Sequence, residues 1–325
     1  MRASRRRFLA ASAGAVPALR LSSAPRPQPA VARAPELPAI GPRKGLPVGT
    51  VTYNIAKDWD IETIILNLTE VGMEAVELRT THRHGVELSL TKAQRAEVKK
   101  RFADSPIRLA SLGTTCEYHS EEPAILRRNV EETKAWLQLA ADVGAGSVKV
   151  RPNGLRKGVA PDVTLEQVGK ALKECGDAAA EQGLKIQLEV HGSETSRLPN
   201  IRKILDHAGS PSVRVCWNSN QTDLLDGGLE SNFRLVQDRI GQVHMRDLYQ
   251  EEYPWRRLIR LLQGINFGGY CYAELGQPSC DGLRALKYFH GLFRAFQGIE
   301  GPQYQLRAKR DSLPRSERGF KGARR

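Results

Sequence analysis

Eight short runs of apolar and β-branched residues alternate with longer amphipathic patterns between residues 46 and 300. The short runs predict strands at Pro47–Asn54, Ala75–Thr80, Leu109–Thr114, Ser147–Arg151, Lys185–His191, Val213–Asn218, Gln242–Asp247 and Tyr270–Leu275. The longer patterns predict helices at Ile61–Val71, Leu90–Phe102, Ala124–Val143, Leu165–Gln182, Ile201–His207, Leu229–Val236, Trp255–Leu262 and Gly282–Phe296. Eight such units in roughly 250 residues are typical of an α/β fold of the (β/α)8 TIM-barrel type.

The main alternative fold is an open, doubly wound parallel sheet. Such a sheet usually carries a phosphate-binding glycine turn after its first strand. The segment from Tyr53 to Lys57 contains no glycine, and no nucleotide-binding glycine motif stands at any strand–helix junction. The closed barrel is therefore the favoured prediction.

The net charge of +13 is confined to the two ends of the chain. Residues 1–44 carry nine Lys or Arg and one Glu, and residues 301–325 carry eight Lys or Arg and two acidic residues. The body between them is close to neutral. A basic balance restricted to the ends does not predict a nucleic-acid surface, so no nucleic-acid partner is expected.

The arginines near the start of the chain fit a known type of export signal. Ser4–Leu9 resembles a twin-arginine export signal, and the weakly apolar run that follows is far shorter than the ~20 residues that span a bilayer. A disordered basic leader is the alternative. We predict an export signal at residues 1–32, a linker at 33–45, the barrel at 46–298 and a disordered basic tail at 299–325. The protein is then expected outside the cytoplasm, in the periplasm or beyond, with no membrane span.

The five cysteines show no CxxC spacing, and their odd number argues against a fully paired disulfide framework. Cys116, Cys216 and Cys271 lie in or just after predicted strands. We expect these three to be buried free thiols.

Four metal-capable residues close the last four predicted strands. They are Glu189, Asn218, His244 and Glu274. In a barrel the carboxyl ends of the strands meet at one mouth, so these side chains are expected to converge there. Oxygen ligands with one imidazole suit a divalent cation, although Mn, Mg, Co and Zn are not distinguished.

Two glutamates beside a metal ion suggest proton transfer on a hydroxylated substrate. Glu189 and Glu274 lie on well-separated strands and could act as base and acid on opposite faces of a sugar. An ene-diolate would then form between removal and return of the proton. A lone strand-end Glu is more often a solvated rim residue, and the functional interpretation depends on the set of four.

Other polar strand ends are weaker candidates. Glu77 and Arg151 are predicted substrate contacts, and for Glu77 a salt bridge at the barrel rim is an equal alternative. His191 could donate a hydrogen bond to substrate or be a satisfied structural histidine. Asp247 is most simply a hydrogen-bond acceptor that orients a metal ligand, or the cap of the next helix.

The motifs Leu-Glu-Val-His, Cys-Trp-Asn-Ser-Asn, Val-His-Met-Arg-Asp and Ala-Glu-Leu resemble those of the xylose isomerase-like barrel superfamily. This superfamily includes sugar isomerases and epimerases such as D-tagatose 3-epimerase, together with inosose dehydratase. The resemblance implies metal ligands at Glu189, Asn218, His244 and Glu274, with the two glutamates as the acid–base pair. It also implies substrate contacts from His191 and Arg246.

The chain departs from the family pattern on the sixth strand. The family usually has Asp there and a His three residues later, whereas this chain has Asn218 and Gln221. An amide oxygen can bind a hard cation but brings no charge. Weaker metal binding is therefore expected, and loss of the metal is an open alternative.

The sequence thus predicts an enzyme, a metal-dependent sugar isomerase or epimerase acting on a small sugar or polyol. A lyase or dehydratase acting on keto sugars or keto-glycosides is the second interpretation. A metal-free barrel that only binds carbohydrate is the third. The sequence leaves a homo-oligomer open.

Overall fold

The computed structural model describes residues 45–277, 279 and 281–299 of the 325-residue chain. The predicted export signal lies outside the described residues, as do the linker before Gly45 and the predicted tail after residue 299. Within the described part, the chain folds into a closed parallel barrel whose strands follow the order of the sequence. The predicted (β/α)8 fold is confirmed.

The strands are short and the helices between them are longer. The strands are β1 Val48–Val51, β2 Ala75–Arg79, β3 Arg108–Glu117, β4 Ser147–Arg151, β5 Lys185–Glu189, β6 Val213–Asn218, β7 Ile240–Met245 and β8 Cys271–Ala273. The helices are α1 Ile61–Val71, α2 Lys92–Ala103, α3 Pro123–Val143, α4 Pro161–Glu181, α5 Leu198–Ala208, α6 Leu229–Val236, α7 Trp255–Gly264 and α8 Gly282–Phe296. A short 3-10 helix, Gln221–Leu224, follows β6.

The barrel closes through parallel pairing of its first and last strands. Val48 pairs with Cys271 and Thr50 pairs with Ala273. Closure removes both sheet edges, so no strand is left with an unpaired row of backbone donors and acceptors. It also brings the carboxyl ends of β1 and β8 together, which places Glu274 beside the site formed by the earlier strands.

Alternation along each strand separates the helix-facing core from the barrel interior. On β4, Val148 and Val150 belong to the main hydrophobic cluster, whereas Lys149 and Arg151 line the mouth of the barrel. Successive side chains of a strand point to opposite faces, so every second residue must enter the interior. The polar residues of the strands are therefore collected inside the barrel.

Three helices begin earlier than the apolar periodicity predicts. α3 begins at Pro123, one residue before its predicted start, α4 begins at Pro161, four residues before Leu165, and α5 begins at Leu198, three residues before Ile201. Proline is well suited to a first helical turn because its fixed φ matches the helix and its missing N–H has no intrahelical partner there. The first turn of α4 is largely exposed, which explains why its apolar pattern begins only at Leu165.

The predicted buried thiols are confirmed. Cys116, Cys216 and Cys271 are buried and unpaired. Among the described residues, no helix combines the length and apolar character needed to cross a membrane.

Candidate metal and active site

Three of the predicted ligands meet inside the mouth of the barrel. One ligand atom each from Glu189, His244 and Glu274 lies within 4.8 Å of the other two. His244 Nδ1 is 3.6 Å from Glu189 Oε1 and 3.4 Å from Glu274 Oε1. Neither contact is a hydrogen bond, since His244 Nδ1 has no hydrogen-bond partner among the described residues. The three groups therefore surround a shared centre.

Backbone pairing positions each of these side chains. Glu189 ends β5, and His244 lies opposite Asn218 in the β6–β7 register. Glu274 follows β8 directly, and its N–H donates to the carbonyl of Met245 at 2.8 Å. Two strands, β5 and β7, and the residue after β8 thus present these side chains to the same point.

Asn218, the fourth predicted ligand, lies beside this cluster. It is buried, and its Nδ2 donates a 3.3 Å hydrogen bond to Glu189 Oε1. Asn218 Oδ1 and His244 Nδ1 are both buried and have no hydrogen-bond partner among the described residues. An unpaired buried polar atom costs about 1–3 kcal/mol, and a cation at the shared centre would remove that cost for both atoms.

The donor set therefore fits a divalent ion. Two carboxylates, an imidazole and an amide oxygen are ligand types that Mn, Mg, Co or Zn accept in proteins. The ion would be held by Glu189, Asn218, His244 and Glu274. No described contact draws Gln221 into this centre, since it is the exposed first residue of the 3-10 helix.

Glu77 lies behind the imidazole and not at the rim. Its carboxylate is fully buried, with Oε1 3.4 Å from His244 Nε2. Gln242 Nε2 donates a 2.6 Å hydrogen bond to Glu77 Oε2. This carboxylate favours a proton on Nε2 and so directs Nδ1 towards Glu189 and Glu274, as second-layer carboxylates do in many metal sites. A salt bridge at the solvated rim is not what the structure shows. The predicted substrate contact stays a prediction.

The pKa values in this cluster reflect burial opposed by charge. Burial raises the pKa of Glu77, but His244 and Lys149 outweigh burial and hold the pKa below its ordinary value. Burial lowers the pKa of His244, whereas the neighbouring Cys216, Glu274 and Glu77 side chains raise it well above its ordinary value. The imidazole therefore favours its protonated form, and a metal ion must displace the Nδ1 proton to bind there.

Lys149 is a site residue that the sequence analysis did not select. Its Nζ lies 2.7 Å from Glu189 Oε2, and both side chains are almost completely buried. Burial raises the pKa of Glu189, but Lys149 and His244 together outweigh burial and hold the pKa well below its ordinary value. The alternation Ser147, Lys149, Arg151 along β4 is the signal that could have found it.

The remaining predicted substrate residues lie at the rim. Arg151 forms an ion pair with Glu117, and Asn153 Nδ2 donates to the same carboxylate at 2.7 Å. Asn153 Oδ1 in turn contacts His191 Nδ1 at 2.9 Å. Arg246 donates to an asparagine oxygen at 3.0 Å and lines the cavity. All three predicted residues border the cavity, and His191 and Arg151 are held there by one shared network.

The cavity above the cluster has a volume of about 390 Å³. Its lining is Val51, Tyr53, Glu77, Arg79, Lys149, Arg151, Glu189, His191, Asn218, Arg246, Asp247, Gln250, Glu274, Gly276 and Gln277. Most of these side chains are charged or polar, which suits a ligand with many hydroxyl groups better than an apolar one.

These features define the class of protein as a (β/α)8 barrel with a candidate metal centre at its carboxyl mouth. The sequence model of the xylose isomerase-like TIM barrel family matches residues 65–290. The chain belongs to this family. Comparison with curated proteins finds no match.

Solved structures share the fold at low sequence identity. They include the IolI protein with a bound zinc atom, at 14% identity and TM-score 0.64, covering 77% of this chain and 99% of that one. The 3-keto-D-glucoside 4-epimerase YcjR from E. coli has 14% sequence identity and a TM-score of 0.64, and the match covers 77% of this chain and 99% of that one. An L-ribulose 3-epimerase has 14% sequence identity and a TM-score of 0.65, and the match covers 82% of this chain and 98% of that one.

Proposed function

We propose that the protein is a metal-dependent isomerase or epimerase of a sugar or related polyol. The observation that carries the proposal is the convergence of Glu189, Asn218, His244 and Glu274 at the floor of a polar cavity. The similarity to epimerases and to a zinc-bound barrel supports it.

The two glutamates carry the proton chemistry in this proposal. Glu189 and Glu274 approach the shared centre from β5 and from the end of β8. One would remove a proton from the carbon next to a carbonyl, and the other would return a proton to the opposite face. When bound, a divalent ion would polarise the carbonyl and hydroxyl oxygens of the substrate and so stabilise the ene-diolate.

The rim residues hold the substrate in this scheme. His191, Arg151 and Arg246 offer donors to hydroxyl or carbonyl oxygens, and the Glu117–Asn153 network fixes two of them before substrate arrives. Fixing donors in advance lowers the entropy lost on binding.

Metal analysis and solvent deuterium exchange test this function together. Purified wild-type protein should contain or bind about one divalent ion and should exchange one carbon-bound hydrogen of a substrate from a panel of ketoses and keto-glycosides. Glu274→Gln should lower exchange by roughly 10²–10⁴-fold. Glu166→Gln, an exposed helix carboxylate, is the matched control and should change nothing. The absence of metal and of exchange for every sugar would refute the proposal.

A lyase acting on keto sugars or keto-glycosides is the second candidate. Its support is the unequal environment of the two glutamates: the Glu189 side chain is 4% exposed and paired to lysine, whereas Glu274 is 18% exposed. Elimination needs one base to remove the proton beside the carbonyl, while epimerisation needs a group on each face. Product analysis decides between them, because a lyase yields a dehydrated sugar or a released aglycone.

A barrel that only binds carbohydrate is supported by the neutral Asn218 and by the positive charge of Lys149. Sugar binding that a chelator does not alter, with no exchange of substrate hydrogen, would favour this function.

We further propose that the protein is exported folded by the twin-arginine route. The support is the Ser4–Leu9 sequence, since residues 1–44 lie outside the described residues. Cell fractionation of wild type and of a variant with Arg6→Lys and Arg7→Lys tests it, and equal amounts outside the cytoplasm would refute it.

A further inference from the structure

The buried lysine of the site faces its carboxylates and not the solvent. Lys149 Nζ lies 2.7 Å from Glu189 Oε2, and its side chain is 8% exposed. The charges of Glu77 and Glu274 also act on it. A buried ammonium group is costly to desolvate unless anionic partners surround it, so its place in this cluster is specific.

The two oxygens of Glu189 have different partners. Oε2 accepts from Lys149, whereas Oε1 lies 3.3 Å from Asn218 Nδ2 and 3.6 Å from His244 Nδ1. Oε1 alone therefore faces the shared centre. The lysine fixes the direction of the carboxylate and neutralises much of its charge.

We propose that Lys149 is a positioning residue that also acts as a resident cation and limits metal affinity at this centre. This inference rests on the proposed metal-dependent function. The ammonium group holds Glu189 Oε2, leaves Oε1 as the single ligand atom of that carboxylate, and repels an incoming divalent ion. Asn218 acts in the same direction, because its amide brings no negative charge to the centre.

The sign of the effect follows from charge. A metal ion at the centre would be separated from the lysine by one carboxylate, and like charges repel strongly in a poorly solvated interior. Removal of the lysine also leaves Glu189 Oε2 buried without its cationic partner, and a bound metal would compensate the charge of this carboxylate. Both effects favour tighter metal binding in the variant, whereas a merely structural loss would weaken it.

Titration calorimetry with Mn²⁺ alone tests the proposal on the full-length protein. Lys149→Met should bind Mn²⁺ at least tenfold more tightly than wild type, and Lys149→Gln should change in the same direction. Lys149→Arg keeps a cation near Glu189 and should stay within about threefold of wild type. Lys185→Met is the matched control, because Lys185 starts β5 at the far end of the barrel and its side chain hydrogen-bonds only to Ser212 among the described residues.

Thermal unfolding with and without Mn²⁺ gives an independent measurement. A ligand that binds only the folded state raises the melting temperature more when it binds more tightly. The Mn²⁺-dependent rise should therefore be larger in the folded Lys149 variants than in wild type. If Lys149→Met does not fold, Lys149→Gln decides the outcome.

The outcomes separate this inference from the proposed function. Metal binding by wild type with equal or weaker binding by the folded Lys149 variants overturns the role of Lys149 and leaves the metal-dependent function standing. No Mn²⁺ binding by any variant overturns both.

Discussion

Asn218 is the one amide among the four candidate metal ligands, and its neutral side chain helps to set the charge of the site. It occupies the end of β6, faces His244 across the β6–β7 pair, and leaves its Oδ1 buried without a hydrogen-bond partner among the described residues. A carboxylate here would bring a third negative charge to the centre. The amide brings only a dipole. Its Nδ2 donates a hydrogen bond to Glu189 Oε1, which occupies one lone pair of a candidate metal-binding oxygen.

Asn218→Asp should therefore tighten Mn²⁺ binding at least tenfold, a gain of about 1.4 kcal/mol. The added charge attracts the cation directly and also ends the hydrogen bond to Glu189 Oε1. Calorimetry measures the change. Asn266→Asp adds the same charge on the opposite side of the barrel, in the turn before β8, and should have no effect. Unchanged affinity in Asn218→Asp would show that the β6 position does not touch the ion.

Glu77 is the second residue whose role can be isolated. Glu77→Gln removes the negative charge behind His244 while keeping the size of the side chain and an oxygen for Gln242. Loss of a second-layer carboxylate typically lowers metal affinity by roughly 10–100-fold, and we expect a loss in this range. Circular dichroism checks that the fold is kept. If the folded variant binds the metal as tightly as wild type, Glu77 does not orient His244 for the metal. The predicted substrate contact would then be the remaining role for Glu77.

At the scale of elements, the β6–α6 connection holds a buried carboxylate that supports the site from outside. Asp223 lies in the 3-10 helix, and its Oδ2 accepts from Tyr253 at 2.7 Å and from the N–H of Asn220 at 3.0 Å. Asn220 in turn accepts from Arg246. The connection thus links the fold of the loop to the position of a predicted substrate residue.

Asp223 should make stability depend on pH. Burial raises its pKa to about 7, against the hydrogen bonds that favour the charged form. Because the folded-state pKa lies above the unfolded value, this group stabilises the fold below about pH 4 and loses that contribution as pH rises to about 7. The asparagine side chain in the Asp223→Asn variant does not ionise, so the variant does not lose stability in this way. Its free energy of unfolding relative to wild type should therefore rise by about 2 kcal/mol from pH 5 to pH 8.

Urea unfolding at the two pH values measures this difference. Asp206→Asn, in an exposed ion pair on α5, is the control and should show a change well below 1 kcal/mol. A constant difference between Asp223→Asn and wild type at both pH values would show that Asp223 stays ionised in the fold throughout.

At the scale of the whole molecule, close contact between β1 and β2 is a condition for closing the barrel. Gly49 on β1 pairs with Ala75 on β2 and with Tyr272 on β8. A Cβ atom at Gly49 would lie 2.3 Å from the Ala75 carbonyl oxygen. The strands cannot separate locally, because pairing on both sides holds β1 in place.

Gly49→Ala should therefore destabilise the protein by about 2 kcal/mol or more, as overpacking does in other cores. Urea unfolding followed by circular dichroism measures the loss. Gly264→Ala at the end of α7 is the matched control, because a Cβ there has no atom within 4 Å. The control should be neutral or stabilising, since alanine favours a helix over glycine by about 1 kcal/mol. Equal stability of both variants would exclude tight β1–β2 contact.

The local pattern of the sequence predicted much of the fold. The run Ser147–Arg151 became β4 and the stripe of Ile61–Val71 became α1, both with the predicted bounds, whereas the ends of several other strands differ from the prediction by two or three residues. The predicted start of α4 was less accurate, because its exposed first turn from Pro161 carries no apolar periodicity. β3 is also longer than predicted, extending through polar residues to Glu117.

The sequence by itself determined the eight βα units, the barrel as their arrangement, and the strand-end residues Glu189, His244 and Glu274 that now meet. These follow from spacing along one strand at a time, which is a local property. Only the tertiary structure decided that Lys149 pairs with Glu189 and that Glu77 lies behind His244. Those contacts depend on strand register and on closure of the ring, which bring together side chains 40 and 167 positions apart. No local periodicity encodes that distance.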